Sequence, residues 1–164
     1  MTTDEAYVKL AERSGHADSE ILHRILARAM TVDEARFLAE LPAEPQQLAA
    51  KFNMSEKDIE EKIKELARRG LVVSSRKGHR FPRDLGTLHD NILASRPEYI
   101  PDGIDKLWME FYESGWWREI VDGLTNLGTA VLRVVPILKS TPDGVKLLPH
   151  ESIKDIIEAH KDLI

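Results

Sequence analysis

The chain has 164 residues, 42% of them hydrophobic and 31% charged, with a formal net charge of −5. That length supports one domain with a sizeable core or two small ones, and the negative balance excludes a general attraction to nucleic acid, leaving only local patches. The absence of cysteine excludes disulfides, thiolate metal sites and cysteine nucleophiles, and fits a cytoplasmic location. The N-terminus has no apolar signal core. The longest apolar run, around Ala130–Leu138, is interrupted by Arg133 and too short to span a bilayer, so no membrane association is expected.

In chain order, residues 3–13 pattern as a short amphipathic helix with Tyr7, Val8 and Leu10 on its apolar side, broken by Gly15. Residues 18–30 place Ile21, Leu22, Ile25, Leu26 and Met30 at helical spacing behind Asp18 or Ser19 as N-cap. Thr31 and Glu34 form a T-x-x-E capping box, opening a helix that turns Ala35, Leu38 and Leu41 inward and stops before Pro42. Pro45 suits the first turn of the next helix, whose buried residues are Leu48, Ala49 and Phe52. After the turn at Asn53-Met54, Ser55 caps a third helix with Asp58 at its third position. Met54 and Ile59 are spaced as a hydrophobic staple, and Ile59, Ile63 and Leu66 form the inward stripe. Gly70 is placed to terminate that helix.

Leu71-Val72-Val73 then reads as a strand, Lys77-Gly78 as a hairpin tip, and the return strand is short because Pro82 cannot donate to a ladder. Helix, helix, turn, helix and basic hairpin in this order is the pattern of a winged helix-turn-helix over residues 31–84. One core holding Leu38, Leu48, Phe52, Ile59, Ile63, Leu66, Leu71 and Val73 follows from it. Residues 1–30 form the preceding N-terminal helices, and residues 85–129 a helical, aromatic-rich segment. Residues 130–164 read as a β-hairpin plus helix, with the turn at Thr141–Gly144 and Ile153, Ile156 and Ile157 packed on it. The fold class expected is mainly α, with a winged unit, a helical segment and a small α+β element. The abrupt apolar end at Leu163-Ile164 suggests a piece of a longer chain.

Two groups of residues carry the functional candidates. Arg68, Arg69, Arg76, Lys77, Arg80 and Arg83 fall within sixteen positions of the hairpin. Such a patch can track a DNA backbone, sit against an anionic protein partner, or be an ordinary solvated hairpin. The third helix argues against DNA, because Glu56, Asp58, Glu60 and Glu61 occupy the part that would enter a major groove. Their alternative role is to cap that helix and complement its positive end. Trp108, Phe111, Tyr112, Trp116 and Trp117 make one helical face if the helix runs past Gly115. That face reads as core, with a docking surface or small-molecule pocket as the alternative.

The six histidines are scattered, without H-x-x-x-H or histidine–carboxylate metal spacing, and His160 on an apolar stripe reads as a packed histidine. No nucleophile elbow, Walker loop or dinucleotide fingerprint is present, so nothing makes a case for an enzyme.

The segments ILHRILARAMTVDEARFLAEL and RVVPILKSTPDGVKLLPHESIKDIIEAHKDLI, with Val135-Pro136-Ile137 and Leu148-Pro149-His150-Glu151 as their most specific points, resemble the N-terminal region of a family of ferredoxin-type [4Fe-4S] proteins. The resemblance implies a winged unit and helical segment ahead of cluster-binding cysteines that would begin beyond this chain. No cluster ligand falls on any residue here, so the chain itself would hold no cofactor. It would be a cytoplasmic, non-catalytic recognition or positioning domain for a protein partner or for the ferredoxin module. The alternatives are a winged-helix DNA-binding transcriptional regulator and a small-molecule binder built on the tryptophan-rich region. The sequence carries no signature of a particular oligomeric state.

Overall fold

The computed structural model describes residues 4–75, 78–126 and 158. The chain divides after Trp117, and the part up to that residue carries the site. Among the described residues the protein is mainly helical, with one two-stranded antiparallel sheet. Helices α1 (Glu5–Glu12), α2 (Glu20–Ala29), α3 (Val32–Leu38), α4 (Pro45–Phe52) and α5 (Glu56–Arg68) precede strands β1 (Val73–Ser75) and β2 (Gly78–Arg80). Helices α6 (Leu85–Leu93), α7 (Ile104–Phe111) and α8 (Trp117–Asn126) follow. The β-hairpin and helix expected over residues 130–164, with Ile153, Ile156 and Ile157, lie outside the described residues.

The helix starts follow from local hydrogen-bonding chemistry. Asp4, Ser19, Thr31, Ser55 and Asp84 each accept from a backbone N–H in the first turn of the helix they precede. These bonds satisfy donors that a helix start otherwise leaves orphaned. Thr31 and Glu34 form the capping box expected from sequence, and Ser55, expected as an N-cap, forms a second one with Asp58. Met54 packs half-buried against the core while Ile59 is fully buried.

The C-terminus of α5 closes as a Schellman turn: Gly70 N–H donates to the Ala67 carbonyl at 3.0 Å and Leu71 N–H to Leu66 at 2.9 Å. Gly70 has φ +77°, and a Cβ there would lie 2.4 Å from the Asn91 carbonyl carbon and oxygen. Only glycine lets the end of α5 approach the backbone of α6 this closely.

This closure shifts the strand expected at Leu71–Val73. Leu71 and Val72 are drawn into the core, and pairing begins at Val73, in the register Val73↔Arg80, Ser74↔His79 and Ser75↔Gly78. Val73 itself is half-buried and outside the core that the sequence pattern assigned it to. Phe81 and Pro82, immediately after β2, are buried and anchor the hairpin's return.

One contiguous core runs from Ala6 to Phe111, joining the segments 1–30, 31–84 and the start of 85–129. At its centre lies α2, whose Leu22, Ile25 and Leu26 are fully buried between α1 and α7. Truncating any of these leucines would remove both the transfer free energy and the packing around it, a loss of about 2–5 kcal/mol.

The polar tie across this core is Glu34. Its carboxylate accepts from the Thr31 backbone N–H at 2.8 Å and from the Arg69 guanidinium at 2.5 and 3.2 Å. Arg69 also donates to the Ala29 carbonyl at 2.7 Å. One ion pair thereby fastens the start of α3, the end of α2 and the end of α5. Burial alone would raise the Glu34 carboxyl; the bonds from Arg69 and Thr31 outweigh it and hold its pKa below the ordinary value.

The unfolded chain, with an ordinary carboxyl, therefore binds the proton first. The pair's contribution is complete above the unfolded pKa of about 4.3 and is lost as pH falls through the lower folded value. Arg69→Leu is expected to cost about 2 kcal/mol at pH 7 by leaving a half-buried carboxylate unpaired. In urea titrations at pH 7 and pH 3, Glu34→Gln should be less stable than wild type at pH 7 and lose less on acidification. Equal losses in the two proteins would refute the assignment.

Candidate functional site

The basic candidates separate into two groups. Arg69 is consumed by the Glu34 pair and the Ala29 carbonyl, with Glu65 a further 3.6 Å away. Its side chain is 20% exposed, and it belongs to the fold rather than to a surface patch. Arg68 is exposed in the last turn of α5. Arg80 and Arg83 are exposed at the end of β2 and just beyond it. Arg76 and Lys77 lie outside the described residues.

A third arginine, which no local pattern in the sequence singled out, joins Arg80 and Arg83. Arg13, following α1, donates to the carbonyls of Leu38 at 3.4 Å and Leu41 at 2.9 Å, and to that of Ala39. These carbonyls lie at and just beyond the C-terminus of α3, where a cation complements the helix dipole. Arg13, Arg80 and Arg83 line one cleft with Leu41, Pro42 and Phe81, of about 410 Å³. No carboxylate lines it. Burial lowers the Arg13 pKa from its ordinary value, the nearby Arg83 lowers it further, and Glu40 partly opposes both.

The acidic candidates are as the sequence places them. Glu56, Asp58, Glu60 and Glu61 are all exposed on the first half of α5. Lys64 offsets Glu60 at 3.8 Å, and Gln46 donates to Glu56 at 2.8 Å. The solvent face of this helix start is therefore anionic, while the hairpin base is cationic.

The aromatic candidates are divided by Gly115. A single helical face through Trp117 required α7 to continue. Instead α7 ends at Phe111 and residues 112–116 form a wider π-type turn, with Gly115 at φ +132°. Trp108 and Phe111 are buried, and Trp116 packs half-buried against them, its ring 5.7 Å from Trp108 and 5.3 Å from Phe111. Tyr112 and Trp117 are 45% and 38% exposed, so the expected five-member group is a three-member one.

Two histidines complete the cluster. His89 of α6 meets Trp108 edge-on at 5.2 Å, and His16 meets Phe111 at 5.5 Å. The cluster is a packing junction of α6, α7 and the loop after α1. Each edge-to-face pair adds about 0.5–1.5 kcal/mol beyond area burial. Trp108 Nε1 and His23 Nε2 are buried without a hydrogen-bond partner.

Among the described residues, no group of three or more histidine, aspartate or glutamate side chains is placed to hold a metal ion. No helix there is long and apolar enough to cross a membrane.

The division at Gly115 has a spectroscopic consequence. Trp117→Phe should remove most of the emission that acrylamide quenches, whereas Trp108→Phe should remove emission that acrylamide barely reaches. Equal quenching constants for the two variants would contradict this arrangement. No protein-family model matches the chain, and no curated protein or solved structure is significantly similar to it.

Proposed function

We propose that this chain is a non-catalytic recognition and positioning module of winged-helix form, belonging to a ferredoxin-like iron–sulfur electron-transfer protein. The order α3, α4, α5 and hairpin supports the winged form. The observation that carries the recognition reading is the opposition of charge on the surface. Four exposed carboxylates occupy the start of α5, where a DNA-reading helix would approach phosphates. Arg80 and Arg83 stand exposed at the hairpin base, with no ion pair to a described carboxylate. A duplex approaching α5 meets repulsion, whereas an anionic protein surface can dock at the hairpin alone.

The iron–sulfur setting rests on the Val135-Pro136-Ile137 and Leu148–Glu151 motifs. With no cysteine in the chain, clusters would be held by other residues of the larger protein, and this module would orient them toward a partner. A reading frame that continues past Ile164 into C-x-x-C motifs supports that setting; a stop codon directly after Ile164 overturns it.

The recognition reading is tested by fluorescence anisotropy with pooled duplex DNA at about 150 mM salt, where surface electrostatics are screened beyond roughly 8 Å. Only weak, sequence-independent binding that vanishes with added salt is expected. Selective duplex binding at nanomolar concentration would replace this reading with that of a DNA-binding regulator.

A further inference from the structure

We infer that the cleft formed by Arg13, Arg80 and Arg83 over Leu41, Pro42 and Phe81 is a binding site for a phosphate dianion carried on a side chain of a protein partner. This deepens the recognition reading by naming the chemical group the hairpin base would take.

Three guanidinium groups line one small concavity with no carboxylate among its walls. Like charges repel, so the fold must hold them together. It does so by fixing Arg13 on the carbonyls of Leu38, Ala39 and Leu41, and by seating Phe81, between Arg80 and Pro82, in the core. Burial is the main reason the Arg13 pKa lies below its ordinary value; Arg83 adds to it and Glu40 opposes it.

Glu40, whose charge acts on Arg13, is shared with Lys51 at 2.5 Å and with Lys9 at 3.7 Å. The side chains of Arg80 and Arg83 make no hydrogen bond or ion pair with any described residue. Their donors, and those Arg13 does not spend on carbonyls, remain for a ligand.

The chemistry favours phosphate over carboxylate. A phosphate monoester near neutral pH carries close to two charges and three strong acceptor oxygens, enough to engage three guanidinium forks. A carboxylate offers one charge and two oxygens.

The floor argues for a carrier. The exposed Pro42 supplies apolar surface to the cleft, which the almost fully buried Leu41 and Phe81 border. Apolar neighbours of a phosphorylated side chain can cover that floor; free inorganic phosphate cannot. A volume of about 410 Å³ suits a side chain and its immediate neighbours. A nucleic-acid backbone would need a continuous cationic track, and the exposed acids of α5 do not extend one.

The test is an NMR titration of the whole chain with inorganic phosphate. It is followed by a short phosphoserine peptide with flanking leucines, and by its unphosphorylated and glutamate counterparts. The expected result is saturable shifts of the Arg13, Arg80 and Arg83 side-chain N–H signals and of the Phe81 amide. The phosphopeptide should bind about tenfold or more tightly than inorganic phosphate and than either counterpart.

The double variant Arg80→Gln/Arg83→Gln should weaken binding at least about tenfold with an unchanged circular dichroism spectrum and melting temperature. Arg68→Gln, on α5, should leave binding intact. Absence of saturable shifts, unchanged affinity in the double variant, or inorganic phosphate binding as tightly as the peptide would each overturn the proposal. So would single-stranded or duplex DNA displacing the peptide from these arginines at lower concentration than the peptide itself binds. Failure of phosphate to bind leaves the recognition reading standing, because selective duplex binding is what overturns that.

Discussion

Glu34 is the residue on which the arrangement of the other helices depends. Its position, three residues into α3, lets one carboxylate cap the helix start and still face the end of α5. With one oxygen shared between the Thr31 N–H and Arg69, and the other on Arg69, it satisfies the charge that partial burial would otherwise penalise. Arg69 then reaches on to the Ala29 carbonyl, which α2 leaves open at its C-terminus. The close approach of α5 to α6 at Gly70 begins one residue later. Orientation of the hairpin, which leaves α5 through Gly70 and Leu71, follows from how this junction fixes the end of that helix.

Arg69 also shows where local reasoning stops. Next to Arg68, in the last turn of an amphipathic helix, it has the ordinary features of a solvated cation. Nothing within a few positions distinguishes the two arginines. The difference is a carboxylate 35 residues away, brought near by packing and invisible to a local pattern. Arg13 is the same problem reversed: a lone cation after a short helix acquires its role from the α3 carbonyls and from Arg83. By contrast, the capping boxes at Thr31 and Ser55 and the inward stripe Ile59, Ile63, Leu66 were legible, because both ends of each interaction lie within a turn or two of helix. Phe37 and Phe81, both buried, were not picked out. Phe37 falls beside the Ala35–Leu38 stripe, on a helix covered on more than one side. Phe81 follows a strand too short for alternation to be read.

The aromatic group makes a related point about periodicity. Counting at i, i+3, i+4 and i+8 assumes 3.6 residues per turn throughout. The π-type turn across residues 112–116 and the left-handed Gly115 break that count. Trp116 is thereby directed back onto Trp108 and Phe111, while Tyr112 and Trp117 remain exposed. A helix of uniform pitch would have kept Trp108, Phe111, Tyr112 and Trp116 on one face. What the altered pitch leaves is a junction of three aromatic rings and two histidines that holds α6 and α7 together.

The distribution of charge has a physical logic of its own. A chain with net charge −5 gains nothing from collecting cations in one place, since like charges confined to a concavity raise the energy of the folded state. The fold nevertheless sets Arg13, Arg80 and Arg83 around one cleft, and engages Glu40, whose charge acts on Arg13, with two lysines. At the start of α5, the carboxylates are spread over an exposed face where water screens them and the helix dipole favours them. The acidic face can therefore be accounted for by the helix it caps, whereas no carboxylate lines the arginine cleft and Glu40, which favours the Arg13 charge, is shared with two lysines. That asymmetry is the physical basis for proposing the hairpin base, rather than the acidic face of α5, as the docking surface.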